Sequence, residues 1–309
     1  MKNLDKHIDK YLYFCETQKN LNSKTLKAYK IDLYQFSKFA CDRDDEILLR
    51  RLISDYIAHM HPIYQPKTVK RKIASLKAFI HYLVMEDILV ENPFQKITLN
   101  YREPRKLPKT IPASTIQVFL DAIYKAQNQA GSPYQKRTIL RDIAVIELLF
   151  ATGMRISELC SLKVSDLNLK EKRVLIFGKG AKERMLHIGN VDVISALDSY
   201  LDAYSDKLKD TGSLFINRRH QRLSEQSVRN LINKYAELAG IQLHITPHMF
   251  RHSFATLLLE SDVDIRYIQK FLGHSSITTT EIYTQVSMHK QEEILETRHP
   301  RNKMEVDRG

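Results

Sequence analysis

The segment from His248 to Tyr283 holds side chains that could bind an anion and attack it. His248, Arg251 and His252 stand at helical spacing, His274 follows a glycine, and Tyr283 closes the segment. Guanidinium groups donate paired hydrogen bonds to phosphate oxygens, and an imidazole can hold or move a proton. A tyrosine hydroxyl becomes a nucleophile once cations and a base favour its ionised form. The segment therefore predicts chemistry at a phosphate.

Two cations far upstream complete this candidate site. Arg155 follows Ala151-Thr152-Gly153, where the glycine permits a turn that aims the arginine, and Glu158 lies one helical turn further on as a brace. Lys179 lies at the tip of a predicted hairpin, between the apolar runs 174–177 and 184–188. Neighbouring positive charge lowers the pKa of an ammonium group, so a lysine beside two arginines suits the protonation of a leaving oxygen.

Composition favours a polyanionic partner. The 309 residues carry a formal net charge of +12, and 43% of them are hydrophobic, which is ordinary for a folded protein. No apolar run reaches the roughly 18 residues of a spanning helix, and the N-terminus lacks a signal-peptide pattern. We therefore expect a cytoplasmic protein with no membrane role that binds nucleic acid. The three cysteines lie far apart and predict neither a disulfide framework nor a zinc site.

The chain reads as two domains of a mainly α protein. Residues 1–100 are predicted as an all-helical domain, because the first 90 contain no glycine and show apolar stripes at helical spacing. Four prolines between residues 93 and 112, interleaved with arginine and lysine, predict a basic linker over residues 101–112. Residues 113–309 are expected to form an α+β domain containing the hairpin. Ser23 is a predicted N-cap, and Ser114–Gln117 has the capping-box pattern.

Clusters of basic residues in the first domain and the linker are candidate DNA contacts. A helix predicted to begin near Pro66 displays several cations around its apolar stripe, and a second helix does the same. A solvated helix face and a solubilising tether explain the same residues equally simply. The candidates are Lys24, Lys27, Lys67, Lys70, Arg71, Lys72, Arg105 and Lys106.

Taken together, the motifs resemble the tyrosine recombinase (phage integrase) family. Ala-Thr-Gly-Met-Arg-Ile-Ser-Glu-Leu, Gly-Lys-Gly-x-Lys-Glu-Arg, His-Met-Phe-Arg-His-Ser-Phe-Ala-Thr, Leu-Gly-His-Ser-Ser-Ile and Tyr-Thr occur in that order. The resemblance extends to Lys-Thr-Leu-Lys-Ala-Tyr-Lys-Ile-Asp-Leu near the N-terminus. It implies a SAM-like core-binding domain followed by a catalytic domain. The length and the terminal Arg298-His299-Pro300-Arg301 look most like the Xer subgroup.

The resemblance assigns a role to each candidate catalytic residue. Arg155 and Arg251 would clamp the scissile phosphate, Lys179 would protonate the leaving 5′-oxygen, and His248 would assist the nucleophile. His274 would hydrogen-bond the phosphate, and Tyr283 would attack to leave a 3′-phosphotyrosine. Because that bond conserves the energy of the phosphodiester, the resemblance implies neither a metal ion nor another cofactor.

The resemblance also implies a double-stranded DNA partner with an inverted-repeat core site. It implies a homo- or heterotetramer on two duplexes with a Holliday-junction intermediate, and it allows an accessory activator. The tail after Tyr283 would dock on a neighbouring protomer, although by sequence it could equally pack on its own domain. Resolution of chromosome or plasmid dimers and movement of a mobile element are both open. The alternative functions are type IB topoisomerase-like relaxation and non-cutting DNA binding on the same scaffold.

Overall fold

A computed structural model describes residues 4–41, 49–97, 109–178 and 183–273 of the chain. The chain divides into two compact units, Met1–Arg105 and Lys106–Gly309. Within the described ranges, no helix is long and apolar enough to cross a membrane.

The first unit is built from helices, as the apolar stripes predict. Its elements are α1 (Leu4–Thr17), α2 (Ser23–Cys41), α3 (Leu49–Met60), α4 (Pro66–Met85) and a 3₁₀ turn (Pro93–Lys96). The Tyr11 ring is fully buried and packs against Phe79 and Tyr82, with centroids 5.4 and 5.1 Å away. These contacts fix α1 against α4.

The predicted N-cap of α2 is wrong by one residue. The side chain of Asn22 accepts the backbone N–H of Thr25 at 2.9 Å, and Ser23 is already the first helical residue. Asparagine and serine cap helices about equally well, so the sequence pattern does not separate two adjacent candidates.

The second unit is mainly α-helical with a small sheet, which confirms the predicted fold class. Its elements in order are α5 (Ala113–Asn128), α6 (Pro133–Thr152), α7 (Ile156–Ser161), a 3₁₀ turn (Val164–Asp166), β1 (Leu167–Asn168), β2 (Arg173–Phe177), β3 (Glu183–His187), α8 (Val191–Thr211), α9 (Glu225–Leu238), α10 (Pro247–Glu260) and α11 (Ile265–Leu272).

The buried helix α6 organises this unit. Ser132 and Gln135 form a reciprocal capping box at its start, and the helix is buried along most of its length from Ile139 onward.

By contrast, the capping box predicted at Ser114–Gln117 is wrong. Helix α5 begins at Ala113, directly after Pro112, and the Gln117 side chain donates to Asp121 at 2.8 Å.

The predicted hairpin is present, and a short third strand extends it. The strands are antiparallel in the order β1-β2-β3, with Ile176 opposite Arg184 and Val174 opposite Leu186. Strand β3 begins at Glu183, one residue before the predicted start. Alternation along the strands turns Val174, Ile176 and Leu186 into the core. Arg184 lies on the same face of β3 as Leu186.

Candidate active site

The turn after α6 sets the position of Arg155. Gly153 ends the helix in the left-handed region, at φ 57°, and its N–H donates to Leu149 O at 3.1 Å. A Cβ on Gly153 would lie 2.5 Å from Cδ1 of Phe254 on α10. Glycine is therefore required at position 153 for two reasons, its left-handed backbone conformation and the close approach of α10.

Glu158 braces Arg155 at the start of α7, as the sequence predicts. The Glu158 carboxylate, whose side chain is only 4% exposed, accepts the backbone N–H of Arg155 and its Nη1, both at 2.8 Å. The Arg155 side chain is 37% exposed. Its guanidinium is thus held from behind by a buried carboxylate while part of the side chain faces solvent.

Arg184 provides a second, buried partner for the same carboxylate. Its Nη2 and Nη1 donate to Glu158 at 2.7 and 3.2 Å, and its Nε donates to the carbonyl of Phe271 at 2.8 Å. Burial alone would raise the pKa of Glu158, but the hydrogen bonds from Arg184 and from the Arg155 backbone outweigh it and hold that pKa below its usual value. Glu158 therefore stays ionised between the two arginines.

Arg251 joins two motif segments that are far apart in sequence. Its side chain is buried; Nη1 donates to the carbonyl of Gly153 at 2.8 Å, and Nη2 donates to that of Leu272 at 2.7 Å. Gly153 stands two residues before Arg155, and Leu272 stands two residues before His274. One guanidinium, fixed in plane by two carbonyls, thereby holds the end of α6 and the end of α11 together.

The histidines on α10 differ in exposure and charge. His248 is exposed in the first turn, and His252 is half-buried one turn later. Burial, followed by the positive charges of His248 and Arg251, lowers the pKa of His252 to about 4. His252 is therefore neutral at physiological pH, whereas the neighbouring Arg251 guanidinium stays charged.

The structure thus brings together the segments that carry the predicted catalytic residues Arg155, His248 and Arg251. The predicted catalytic residues Lys179, His274 and Tyr283 lie outside the described residues. The described residues nearest in sequence to Lys179 and His274 do converge, because Arg184 on β3 reaches both α7 and the end of α11.

Sequence reasoning gave Arg184 no role beyond membership of a motif. The signal that could have found it is strand alternation, since an arginine shares a strand face with Leu186 opposite the buried Ile176. A charged residue at an inward-facing strand position needs a buried partner. In the structure, the buried partner of Arg184 is the carboxylate of Glu158.

The basic surface predicted on the first unit is partly present. Lys24 and Lys27 on α2 and Lys67 and Lys70 on α4 are exposed. Arg105 and Lys106 lie outside the described residues. The exposed lysines recur at spacings of three, so each pair lies on one face of its helix.

The prediction that Lys72 belongs to that surface is wrong, because Lys72 is buried. Its Nζ donates to Asp32 at 2.9 Å and also to Gln35, and it lies 4.8 Å from the Tyr64 ring centroid. It follows Val69 by three residues and precedes Leu76 by four, so the helical period turns it toward the core. Arg71 is half-exposed but also pairs with Asp32. The Asp32 cluster therefore ties α2 to α4, and Lys72 cannot contact DNA from this position.

Comparisons with known proteins identify the family of the chain. Residues 118–290 match the Phage integrase family, and residues 8–87 match the phage integrase N-terminal SAM-like domain. A tyrosine recombinase of Agathobacter rectalis is 53% identical over 301 residues, covering 97% of this chain and 98% of the relative. The tyrosine recombinase XerC of Thermodesulfovibrio yellowstonii is 36% identical over 312 residues, with 98% and 99% covered.

A solved structure shares the fold. The XerH site-specific recombinase, in a post-cleavage complex with a palindromic difH substrate, superposes with a TM-score of 0.75 at 24% identity, covering 92% of this chain and 82% of XerH. The chain therefore belongs to the phage integrase family. Within that family it is an Xer-like tyrosine recombinase, an enzyme of the site-specific recombinase class. The relatives do not favour the topoisomerase-like alternative.

Proposed function

We propose that this recombinase cuts and rejoins duplex DNA through a 3′-phosphotyrosine at Tyr283. Residues 1–100 form the core-binding domain in this proposal, residues 101–112 the basic linker and residues 113–309 the catalytic domain. The substrate is double-stranded DNA with an inverted-repeat core site. Because that substrate is genomic or plasmid DNA, the proposed location is the cytoplasm.

The chemistry conserves the phosphodiester. The Tyr283 oxygen forms a bond to phosphorus while the bond from phosphorus to the 5′-oxygen breaks, and Lys179 gives the leaving oxygen its proton. Negative charge grows on the non-bridging oxygens, where Arg155 and Arg251 stabilise it and His274 donates a hydrogen bond. His248 assists removal of the tyrosine proton. A 5′-hydroxyl from the partner strand then reverses the step on the new strand, so no metal ion or energy-rich cofactor enters the balance.

The observation that carries the proposal is the bridge made by Arg251. Its two hydrogen bonds, to Gly153 O and Leu272 O, join the segment that leads into Arg155 to the segment that leads into His274. Glu158 holds the guanidinium of Arg155 beside the same turn. Two arginines held by buried partners form a preorganised phosphate clamp, which is the requirement for stabilising charge in the transition state.

The assembly follows from counting strands. Two duplexes contain four strands, each cut once by one tyrosine, so a complete exchange takes four protomers. We place the tail after Tyr283 on a neighbouring protomer in this tetramer. The cations Lys24, Lys27, Lys67 and Lys70, with Arg105 and Lys106 of the linker, supply phosphate contacts whose affinity falls steeply with salt.

The test is recombination between two sites on one supercoiled plasmid, with the sites taken from duplexes that the purified protein itself selects. The parent chain is expected to excise the intervening DNA, and Tyr283→Phe is expected to be inactive. Tyr267→Phe is the matched control, because Tyr267 is a 59% exposed tyrosine on α11. Recombination that survives Tyr283→Phe would overturn the catalytic assignment.

The same assay separates the remaining alternatives. Relaxation of supercoils without excision would identify topoisomerase-like activity, and binding without covalent chemistry would identify an accessory protein. Excision by the purified chain alone would show that a homotetramer suffices without an activator.

A further inference from the structure

A small basic cavity lies at the opposite end of α6 from the candidate active site. It has a volume of about 230 Å³ and is bounded by the first turns of α6, the second half of α8 and the turn that follows β-bridge residue Ile216. Helix α6 has 20 residues and therefore spans about 30 Å, so this cavity is separate from the segment around Arg155.

Four cationic side chains line the cavity. Arg137, Arg141, Lys207 and Arg218 face it, and its described lining includes no aspartate or glutamate. Arg141 is paired with Asp142, which also accepts a hydrogen bond from Tyr235. In the described part of the chain, no carboxylate forms a salt bridge with Arg137, Lys207 or Arg218. Three positive charges thus converge on one concave surface.

A larger cavity of the same unit is lined by acidic residues, so positive charge is not a general property of the cavities of this unit. It measures about 620 Å³ and is lined by Asp121, Glu147 and Asp192, with no lysine or arginine among its described lining residues. Positive charge is therefore concentrated at the small cavity and not spread evenly over every concave surface of the unit.

Two sets of contacts order parts of the wall of the small cavity. The Asn217 side chain accepts the N–H groups of Arg219 and Gln221 at 2.8 and 3.1 Å, which holds the turn that carries Arg218. Arg137 lies over the Tyr204 ring, 5.9 Å from its centroid. The backbone of that turn and the Arg137 side chain are thus partly ordered before binding, which lowers the entropic cost of recognising a compact anion.

An exposed tyrosine ring lies at the rim of the cavity, beside its cationic side chains. Tyr134 lines the cavity yet is 63% exposed, so one face of its ring is available at the rim. The volume of about 230 Å³ lies below the usual 300–1,000 Å³ of small-molecule sites, so it suits a phosphoryl group and a sugar but leaves a base at the rim. Guanidinium and ammonium groups recognise phosphate, and a tyrosine ring stacks on a nucleobase.

We propose that this cavity binds a nucleoside monophosphate, with the phosphoryl group held by Arg137, Lys207 and Arg218 and the base stacked on Tyr134. The site is distinct from the phosphate clamp of the proposed reaction, and it does not depend on that reaction. It gives the recombinase a means of sensing a free nucleotide on its catalytic unit.

Calorimetric titration of the full chain at low salt tests the proposal, with adenosine monophosphate, inorganic phosphate and adenosine as probes. Adenosine monophosphate is expected to bind, and adenosine to bind at least about a hundredfold more weakly, because it lacks the charge-assisted hydrogen bonds. Arg137→Ala and Lys207→Ala should each weaken the nucleotide by about tenfold. Equal binding of adenosine and the nucleotide would overturn the proposal.

Matched controls and a base-specific variant sharpen the test. Lys136→Ala and Lys209→Ala remove exposed lysines beside Arg137 and Lys207 that do not line the cavity, and each should change the affinity by less than about twofold. Tyr134→Ala should weaken the nucleotide by about tenfold while leaving inorganic phosphate unchanged. An equal loss in the control variants would contradict the assignment.

Measurements of duplex affinity show whether the phosphoryl group comes from a free nucleotide or from the DNA backbone. Duplex affinity of Arg137→Ala and Lys207→Ala is expected to match that of the two control variants. If the parent binds no nucleotide and the cavity variants lose duplex affinity instead, the cavity contacts the DNA backbone and the proposal of a free ligand fails.

Discussion

Replacing Arg184 by methionine isolates the buried charge that braces the candidate active site. The Arg184 side chain is 10% exposed, and its partner Glu158 is 4% exposed. Removing one partner of a buried ion pair costs about 3–5 kcal/mol. Arg155 still donates to Glu158 in the variant, so we expect the lower end of that range, about 3 kcal/mol of unfolding free energy.

A double-mutant cycle with Glu158→Gln separates the ion pair from packing. If the pair acts as a unit, the double variant should be less destabilised than the sum of the single variants by about 2 kcal/mol in urea unfolding. Arg173→Met is the matched control on β2, because Arg173 pairs with Glu171 at the surface, where both side chains are more than half exposed. It should cost less than about 1 kcal/mol.

The effect of Arg184→Met should also depend on pH. In the parent the pKa of Glu158 is lowered, so its ionised form stabilises the fold above its ordinary pKa, and this stability is lost as pH falls through the lowered value. Without Arg184, burial favours the protonated carboxyl, so acid stabilises the variant relative to the parent. The difference in stability should therefore shrink between pH 7 and pH 4. A difference that is constant with pH, or additive single costs within about 0.5 kcal/mol, would refute the brace.

Three further predictions concern the turn, α10 and the basic surface. Gly153→Ala should cost about 2–4 kcal/mol in thermal unfolding, because it adds a clash with Phe254 to a left-handed backbone, and Phe254→Leu should restore part of that loss. As pH falls from 6.5 to about 4, the unfolded chain protonates His252 and the folded chain does not, so about 3 kcal/mol of stability should be lost, and His252→Gln should remove that slope. Lys67→Ala should reduce the slope of log affinity for duplex DNA against log salt by about 0.9, whereas Lys72→Met should leave the slope unchanged and lower stability.

Local physics made the elements of this fold predictable. Helix α6 could be placed because its apolar residues recur at helical spacing and a glycine ends it, and the hairpin because two apolar runs flank a glycine-containing turn. Polar capping patterns were less reliable. Ser23 missed the cap of α2 by one residue, because Asn22 stands beside it and caps equally well. The Ser114–Gln117 pattern failed because α5 begins directly after Pro112 and has no side-chain cap.

Long-range contacts were the part that sequence reasoning could not supply. Lys72 has the composition of a surface cation, and only the position of Asp32 on a neighbouring helix makes its burial possible. Arg184 and Glu158 are 26 residues apart, and Arg251 and Gly153 are 98 apart. Periodicity reports which face of an element is buried, but it does not report which side chain lies opposite.

The central claim is that Tyr283 is the nucleophile of a phosphate clamp that includes Arg155. The most direct measurement uses a nicked duplex, carrying a site the protein selects, that traps the covalent intermediate because the cleaved fragment diffuses away. Mass spectrometry of the trapped parent should place the 3′-phosphoryl group on Tyr283, and Arg155→Ala should bind the duplex with little adduct. An adduct on another residue, or an undiminished adduct in Tyr283→Phe, would contradict the account.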